Sequence, residues 1–230
     1  MKVNDTPVKE NTLDVIILDN VICHTYYDKK FDADDIQSPA CYGLGREPKS
    51  MAPHAKAAKP QSNLCKGCWA NEFDTNDRGG KACQQRQRLA VLSADFKMTA
   101  KTVEESQIYY VHVPVTSVRG FAVFTNKIDQ LLKKHPMAFI TTMELVPDER
   151  TQFKLTFEVK EEIKSSEVLR AILRKADEAE KTIMFAYPDY KEEGGRKRGE
   201  DKDKRRKPHP KPKPRAAAAE RATERISSKY

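Results

Sequence analysis

The chain has 230 residues, 38% of them hydrophobic, with a mean hydropathy of −0.74, which suits one domain with a polar appendage better than a uniformly globular chain. No apolar run approaches the roughly eighteen residues needed to span a bilayer, and the opening MKVNDTPVKENTLDV lacks the apolar stretch of a secretory signal, so a soluble cytoplasmic protein without a membrane role is expected. The net charge of +8 sits in the last forty residues, where 15 Lys/Arg face 7 Asp/Glu, while residues 1–190 hold 27 of each sign; a polyanionic partner is implied.

In chain order, LDVIILD (13–19) and VICHTYY (21–27) are apolar and β-branched and read as strands with a bend at Asp19 and Asn20. From Asp28 to Gln84 the periodicity dissolves into Pro39, Pro48, Pro53 and Pro60 with five glycines, a long irregular insertion that needs a local organiser. Strand patterns return in RLAVLSADF (88–96) and QIYYVHVPV (107–115). Thr116 or Ser117 can cap a helix over 118–134 that presents Val118, Phe121, Ala122, Ile128, Leu131 and Leu132 on one face.

Beyond Pro136, MAFITTMELV reads as another strand. TQFKLTFEVK (151–160) alternates, with Phe153, Leu155, Phe157 and Val159 inward. A second helix over 166–184 turns Val168, Ile172, Ala176, Ala179 and Ile183 inward. This order predicts a mixed β-rich fold: a small OB-like β-barrel with a Cys-rich insertion at 38–88 and two helices, an α+β sheet being the alternative. The domain would occupy residues 1–190. Residues 191–230, rich in Lys-Pro and nearly free of large apolar side chains, read as a disordered basic tail, with a short helix around Ala216 to Arg225.

Five cysteines in a reducing compartment argue for free thiols or a metal site rather than disulfides. Four of them follow the spacing Cys41-x23-Cys65-x2-Cys68-x14-Cys83. Two thiolates three positions apart can share a tetrahedral ion when a tight turn, here at Lys66-Gly67, aims both sulfurs inward; a distant pair closes the site. Zn²⁺ on Cys41, Cys65, Cys68 and Cys83 is the first reading, and its binding energy would become folding energy. A Cys3His set with His54 in place of Cys41, a [4Fe–4S] cluster and a ligand-free loop remain alternatives. Cys23, inside an apolar run, reads as a small buried hydrophobe.

Around these thiols lie Lys66, Arg78, Lys81, Arg86 and Arg88, interleaved with Trp69 and Phe73. Cations beside flat aromatic platforms grip single-stranded nucleic acid with little sequence preference. Trp69 is the leading stacking residue, a hydrophobic plug over the loop being its other reading. Tyr109 and Tyr110 point to opposite faces of one strand, so one can serve a binding face; Arg119, near a helix start, can meet phosphate. GLGRE (43–47) and DRGGK (77–81) lack the strand-to-helix frame of a nucleotide loop. The histidines are scattered, and no Gly-x-Ser-x-Gly or His-x-Glu occurs. A non-catalytic protein is expected.

The block PQSNLCKGCWANEFDTNDRGGKACQQRQRLAVL (60–92), with SPACYGLG and MAPHAK upstream and VPVTSV downstream, resembles a group of Cys-rich phage and prophage DNA-metabolism proteins over roughly residues 38–160. The resemblance implies single-stranded-DNA binding in phage replication or recombination within the host cytoplasm, on an OB-like barrel with an intrinsic zinc site. Phage replication or recombination proteins are the implied partners. Proteins of that function usually end in an acidic tail that recruits those partners; this tail is basic, which points to direct DNA contact. The alternative function is a zinc-containing transcription modulator acting on duplex DNA or host RNA polymerase.

Overall fold

One long strand organises the molecule. In the computed structural model, which describes residues 2–3, 6–7, 11–30, 32, 36–94, 97–149 and 151–188, the two expected N-terminal strands are a single fifteen-residue strand, β3 (Thr12–Tyr26). A bulge between Ile17 and Asp19 replaces the expected bend. The extra residue resets the alternation, so Ile16 and Leu18 face the same side as Val21 and Cys23. Two short strands, β1 (Lys2–Val3) and β2 (Thr6–Pro7), pair with each other ahead of it.

β5 (Gln84–Ser93) runs antiparallel along one edge of β3. The other edge is shared. β7 (Phe139–Asp148) takes Thr12–Val15, and β4 (Cys41–Gly45), which lies inside the expected irregular insertion, takes Ile22–Tyr26. With β6 (Tyr109–Val113) beside β5 and β8 (Gln152–Glu162) beside β7, six antiparallel strands follow the order β6-β5-β3-β7-β8, with β4 on β3. The order is open, and among the described residues no pairing joins β6 to β8 to close a barrel.

Both faces of the sheet are covered. α3 (Ser166–Thr182), capped by Ser165 Oγ accepting from Val168 N at 3.4 Å, buries Val168, Ala171, Ile172 and Ala179, with Ile183 just beyond, against Ile16, Leu18, Val21, Ala90 and Leu92. Full burial of such aliphatic side chains stabilises by about 1.5–3 kcal/mol each. α1 (Ala100–Glu105), not foreseen from periodicity because it is only six residues long, adds Val103 to this layer and begins at a Thr99–Thr102 capping box.

On the opposite face, α2 (Val115–Lys127), extended by a wider turn over Ile128–Leu132, buries Phe121, Phe124 and Ile128 against Val15, Ile17, Leu89, Val91, Met143 and Leu155. The helix starts at Val115, with Pro114 as its N-cap. Ser117 is instead fully buried, and its Oγ accepts from Leu155 N at 2.9 Å. The expected apolar face of this helix is corrected at its end. Leu131 is 68% exposed and Leu132 is also exposed, because the wider turn rotates the stripe off the sheet, while Ala122, in the regular helix before that turn, is exposed beside buried Phe121. In β8, Leu155 is buried and Phe157 packs on the core, whereas Phe153 and Val159 stay exposed, Val159 at the rim of a groove that it shares with Val123 and Phe124 of α2.

The described residues fall within one unit, residues 1–194. The expected basic tail at 191–230 and its short helix lie outside the described residues. Among the described residues no helix is long and apolar enough to cross a membrane.

Candidate metal and nucleic-acid site

The four cysteines of the expected set line one cavity. Cys41 opens β4, opposite Tyr26 of β3, and Cys83 immediately precedes β5, whose Gln84 pairs with Thr25. Strand pairing therefore brings positions 41 and 83 to the same end of the sheet, although 41 residues separate them. The loop between them is tied to β4 by a backbone bond from His54 N to Tyr42 O (2.7 Å), and is closed on itself by bonds from Cys65 N to Met51 O (2.8 Å) and from Cys83 N to Ala70 O (2.6 Å). All four cysteines, with His24, Tyr26 and Gly43, surround a space of ≈ 20 Å³, about the volume that admits one water-sized sphere.

The Cys-x-x-Cys turn has the expected form. Gly67 sits at φ +73°, the left-handed region that glycine enters without cost, and Cys68 N donates to Cys65 O at 3.4 Å. A short 3₁₀ turn at Trp69–Asn71 follows, and the Asn71 side-chain amide donates to Cys65 O at 3.2 Å. Gly43 fixes how closely the turn approaches the sheet. A Cβ placed there would stand 2.9 Å from Cys65 Sγ and 2.8 Å from Ala52 O. Gly43→Ala should therefore displace Cys65 and cost at least about 1 kcal/mol, read as a Tm drop of about 2–4 °C by calorimetry.

The thiols are electrostatically coupled. Burial pushes Cys65 up to about 11, with the neighbouring Cys41 and Cys68 adding to the shift. Burial likewise pushes Cys83 up to about 12, again reinforced by Cys65, Cys41 and Cys68. Cys41 is raised for the same first reason. These groups therefore stay neutral in the folded protein without a cation, and an ion that binds them must displace protons.

The sign of the pH dependence follows. A thiol raised above its ordinary value of 9.0 contributes stability that is complete below pH 9 and is lost as pH climbs to about 11–12. Metal-free protein whose loop stays closed should thus lose stability steadily from pH 9 upward, whereas a loop that opens on metal removal leaves the melts flat over that range. Cys83→Ser should shed part of that slope in pH-dependent thermal melts.

Four soft sulfur donors around a small buried space suit Zn²⁺. Among the described residues no group of three or more His, Cys, Asp or Glu side chains is already arranged to hold a metal ion. The shared cavity and the mutual coupling of the thiols are the observations that bear on coordination, since a side-chain rotation about χ1 moves a sulfur while its backbone stays in place. His54, the alternative ligand, is engaged elsewhere. Its ring stacks on Tyr42 at 5.0 Å, and its Nδ1 pairs with the Tyr42 hydroxyl at 3.0 Å.

His24 was missed by sequence reasoning. It is 4% exposed, neither ring nitrogen has a hydrogen-bond partner among the described residues, and it lines the thiol cavity. Strand alternation with Tyr26 could have placed it on this face.

The loop carries half of the expected nucleic-acid residues, Lys66, Trp69, Phe73, Arg78 and Lys81. Trp69 is 48% exposed and sets its ring edge-on to Tyr26 at 5.5 Å. Phe73 is 73% exposed beneath Lys81, whose Nζ lies 5.0 Å from the ring centroid and donates to Asn71 Oδ1 at 3.2 Å. Lys66 and Arg78 are exposed. The tip is held by Asn76 Oδ1, which accepts from Arg78 N and Gly80 N at 2.9 and 2.8 Å. A rigid tip keeps aromatic platforms ready for stacking without an ordering cost.

Five expected contacts lie elsewhere. Arg88 is 0% exposed, and its Nη1 donates to the carbonyls of Ile183 and Phe185 at 2.8 and 2.7 Å, so it cannot reach a strand on the surface. Arg86, on the same sheet face, is half-buried. Tyr110 packs against Phe185 and donates to Thr182 Oγ1 at 2.6 Å, while Tyr109 packs on the α2 side of the core. Helices cover both sheet faces there, which leaves neither tyrosine as a platform. Arg119 is exposed on α2, apart from the loop in sequence and on another element.

Comparison with protein-family models, with curated proteins and with solved structures finds no match to this chain.

Proposed function

We propose that this protein is a non-catalytic, zinc-containing single-stranded-DNA-binding protein of a phage or prophage, acting in replication or recombination in the host cytoplasm. The observation that carries the reading is the pairing of a thiol-lined cavity with exposed Trp69, Phe73 and Lys81 on the loop it anchors. Zn²⁺ would hold the loop against the end of the sheet, and the two rings would stack on successive bases between Lys66, Arg78 and Lys81. The sheet and its β3–β4 extension take the place of the OB-like barrel as the rigid support. The basic segment 191–230 would add phosphate attraction independent of sequence, which weakens steeply with salt because each contact releases counterions.

The phage assignment rests on the resemblance of residues 38–160. Phage replication or recombination proteins are the partners that fit this role.

The experiment is a titration of labelled single strands, duplex DNA and RNA at two salt concentrations, with the full chain and with residues 191–230 removed. Preference for single-stranded DNA in the truncated protein supports the reading. Preference for duplex would replace it with a zinc-containing transcription modulator.

A further inference from the structure

A second unusual cluster lies on the opposite face of the sheet from the thiols. Arg86 and Arg88 alternate onto one face of β5, opposite Cys23 and Val21 of β3, and Arg88 pairs with His112 of β6. The chain beyond α3 folds over them. The Arg88 guanidinium carbon lies 3.7 Å from the Phe185 ring centroid and 5.3 Å from that of Tyr187.

Only one nitrogen of the buried guanidinium is satisfied. Arg88 Nε and Nη2, Arg86 Nε and the Tyr187 hydroxyl are buried without a hydrogen-bond partner among the described residues. Three of these four groups are N–H donors with no acceptor capacity, and the fourth is a hydroxyl that can donate. No carboxylate is paired with either arginine among the described residues. Leaving a buried charged donor unsatisfied is among the costliest arrangements a fold can hold.

A set of donors around two cations calls for one kind of partner, an acceptor-rich anion. Arg86 and Tyr187 also line a cavity of ≈ 610 Å³, together with Gln84, Ser38, Lys29 and Lys30, so two members of the cluster border a space for a ligand, while Arg88 lies behind them and the unpartnered atoms are themselves buried. Of the two carboxylates on that cavity, Asp28 is paired with Lys59 at 2.6 Å and Asp32 is also engaged.

We infer that Arg86, Arg88 and Tyr187 form a binding site for a phosphate group, with Arg86 and the Tyr187 hydroxyl as its direct donors and Arg88 as the buried charge behind them. Tetrahedral phosphate supplies several acceptors at once and matches the guanidinium fork. The site is independent of the single-stranded-DNA reading, which depends on the thiol-anchored loop on the other face.

The test uses the full-length protein. Thermal unfolding is followed in rising inorganic phosphate, against sodium chloride at equal ionic strength, for the native chain, Arg86→Gln and Tyr187→Phe. Phosphate should raise the native Tm while chloride does not, and each variant should need about tenfold more phosphate for the same shift. Tyr187→Phe removes a hydroxyl that lies beside the Cys23 thiol and has no other partner among the described residues, so it should fold about as stably as the native chain when phosphate is absent.

Equal responses to phosphate and chloride, or an unchanged phosphate response in both variants, would overturn the site. Adding a single-stranded oligonucleotide to the phosphate titration separates the sources. Competition assigns the anion to a strand's phosphate, and its lack assigns a free small anion. Phosphate held only by the basic tail would leave the response intact in both variants, which counts against the inference.

Discussion

Replacing Cys68 with Ser should release one Zn²⁺ per chain and loosen residues 51–83 while the sheet and its two helical layers persist. The loop has little apolar core of its own. Its buried side chains are chiefly Met51, Ala57, Cys65, Cys68 and Ala70, and it returns to the sheet through a handful of backbone bonds. Burial of so few small groups cannot offset the entropy of ordering some thirty residues, at about 1–2 kcal/mol each for the backbone. Under the proposed function, bound zinc would supply the missing free energy, of the order of 10 kcal/mol in small sites. Hydrogen exchange should therefore show the amides of Cys65 and Cys83 losing protection in Cys68→Ser, with Leu89 to Leu92 in the centre of β5 unchanged. Treatment with a strong chelator should reproduce the pattern.

Trp69→Ala should weaken binding of single-stranded DNA by about 1–3 kcal/mol, or roughly 5- to 150-fold in Kd, if the ring stacks on a base. Its geometry allows this. The ring is braced edge-on by Tyr26 at 5.5 Å but remains 48% exposed, so one face is free while the orientation is fixed. Phe73→Ala should act in the same direction. The two effects should be separable from stability by melting each variant with metal bound. A Trp69→Ala protein with unchanged affinity and a lowered Tm would identify the ring as a plug over the thiol cavity.

Charge weighs less than the sequence suggests. Lys66, Arg78 and Lys81 share the 65–83 loop with Glu72, Asp74 and Asp77, and Lys59 is committed to Asp28. In the proposed complex, aromatic contact rather than net charge would supply most of the affinity at the loop itself, and the salt dependence should reside in residues 191–230.

The core was legible wherever one periodicity ran long enough. Val168, Ile172, Ala179 and Ile183 recur at helical spacing over four turns, and α3 buries each of them. β3 was read as two strands because Asp19 and Asn20 look like a turn. In fact the Asp19 carboxylate accepts from Asn20 N at 2.7 Å and from Arg46, so the strand continues through a bulge. β4 was hidden because CYGLG carries two glycines, one of which is there to let Cys65 approach.

The shared cavity of the four cysteines follows the expected set, since a Cys-x-x-Cys turn advertises its own geometry, although among the described residues they are not arranged as a metal-holding cluster. The burial of Arg88 was not. A charged residue at the start of an apolar run looks like a strand end, and only the chain beyond α3, ninety-five residues away, turns that position into the interior. His24 escaped for a similar reason: its role depends on which sheet face the loop covers, and that is set by the register of β3 with β4.

Metal content and thiol reactivity of natively purified full-length protein test the central claim most directly. The account predicts one zinc per chain, held by Cys41, Cys65, Cys68 and Cys83, with Cys23 alone among the five thiols unaffected by chelation. Metal-free protein that melts at the same temperature with and without added zinc, its four thiols reacting independently, would contradict it.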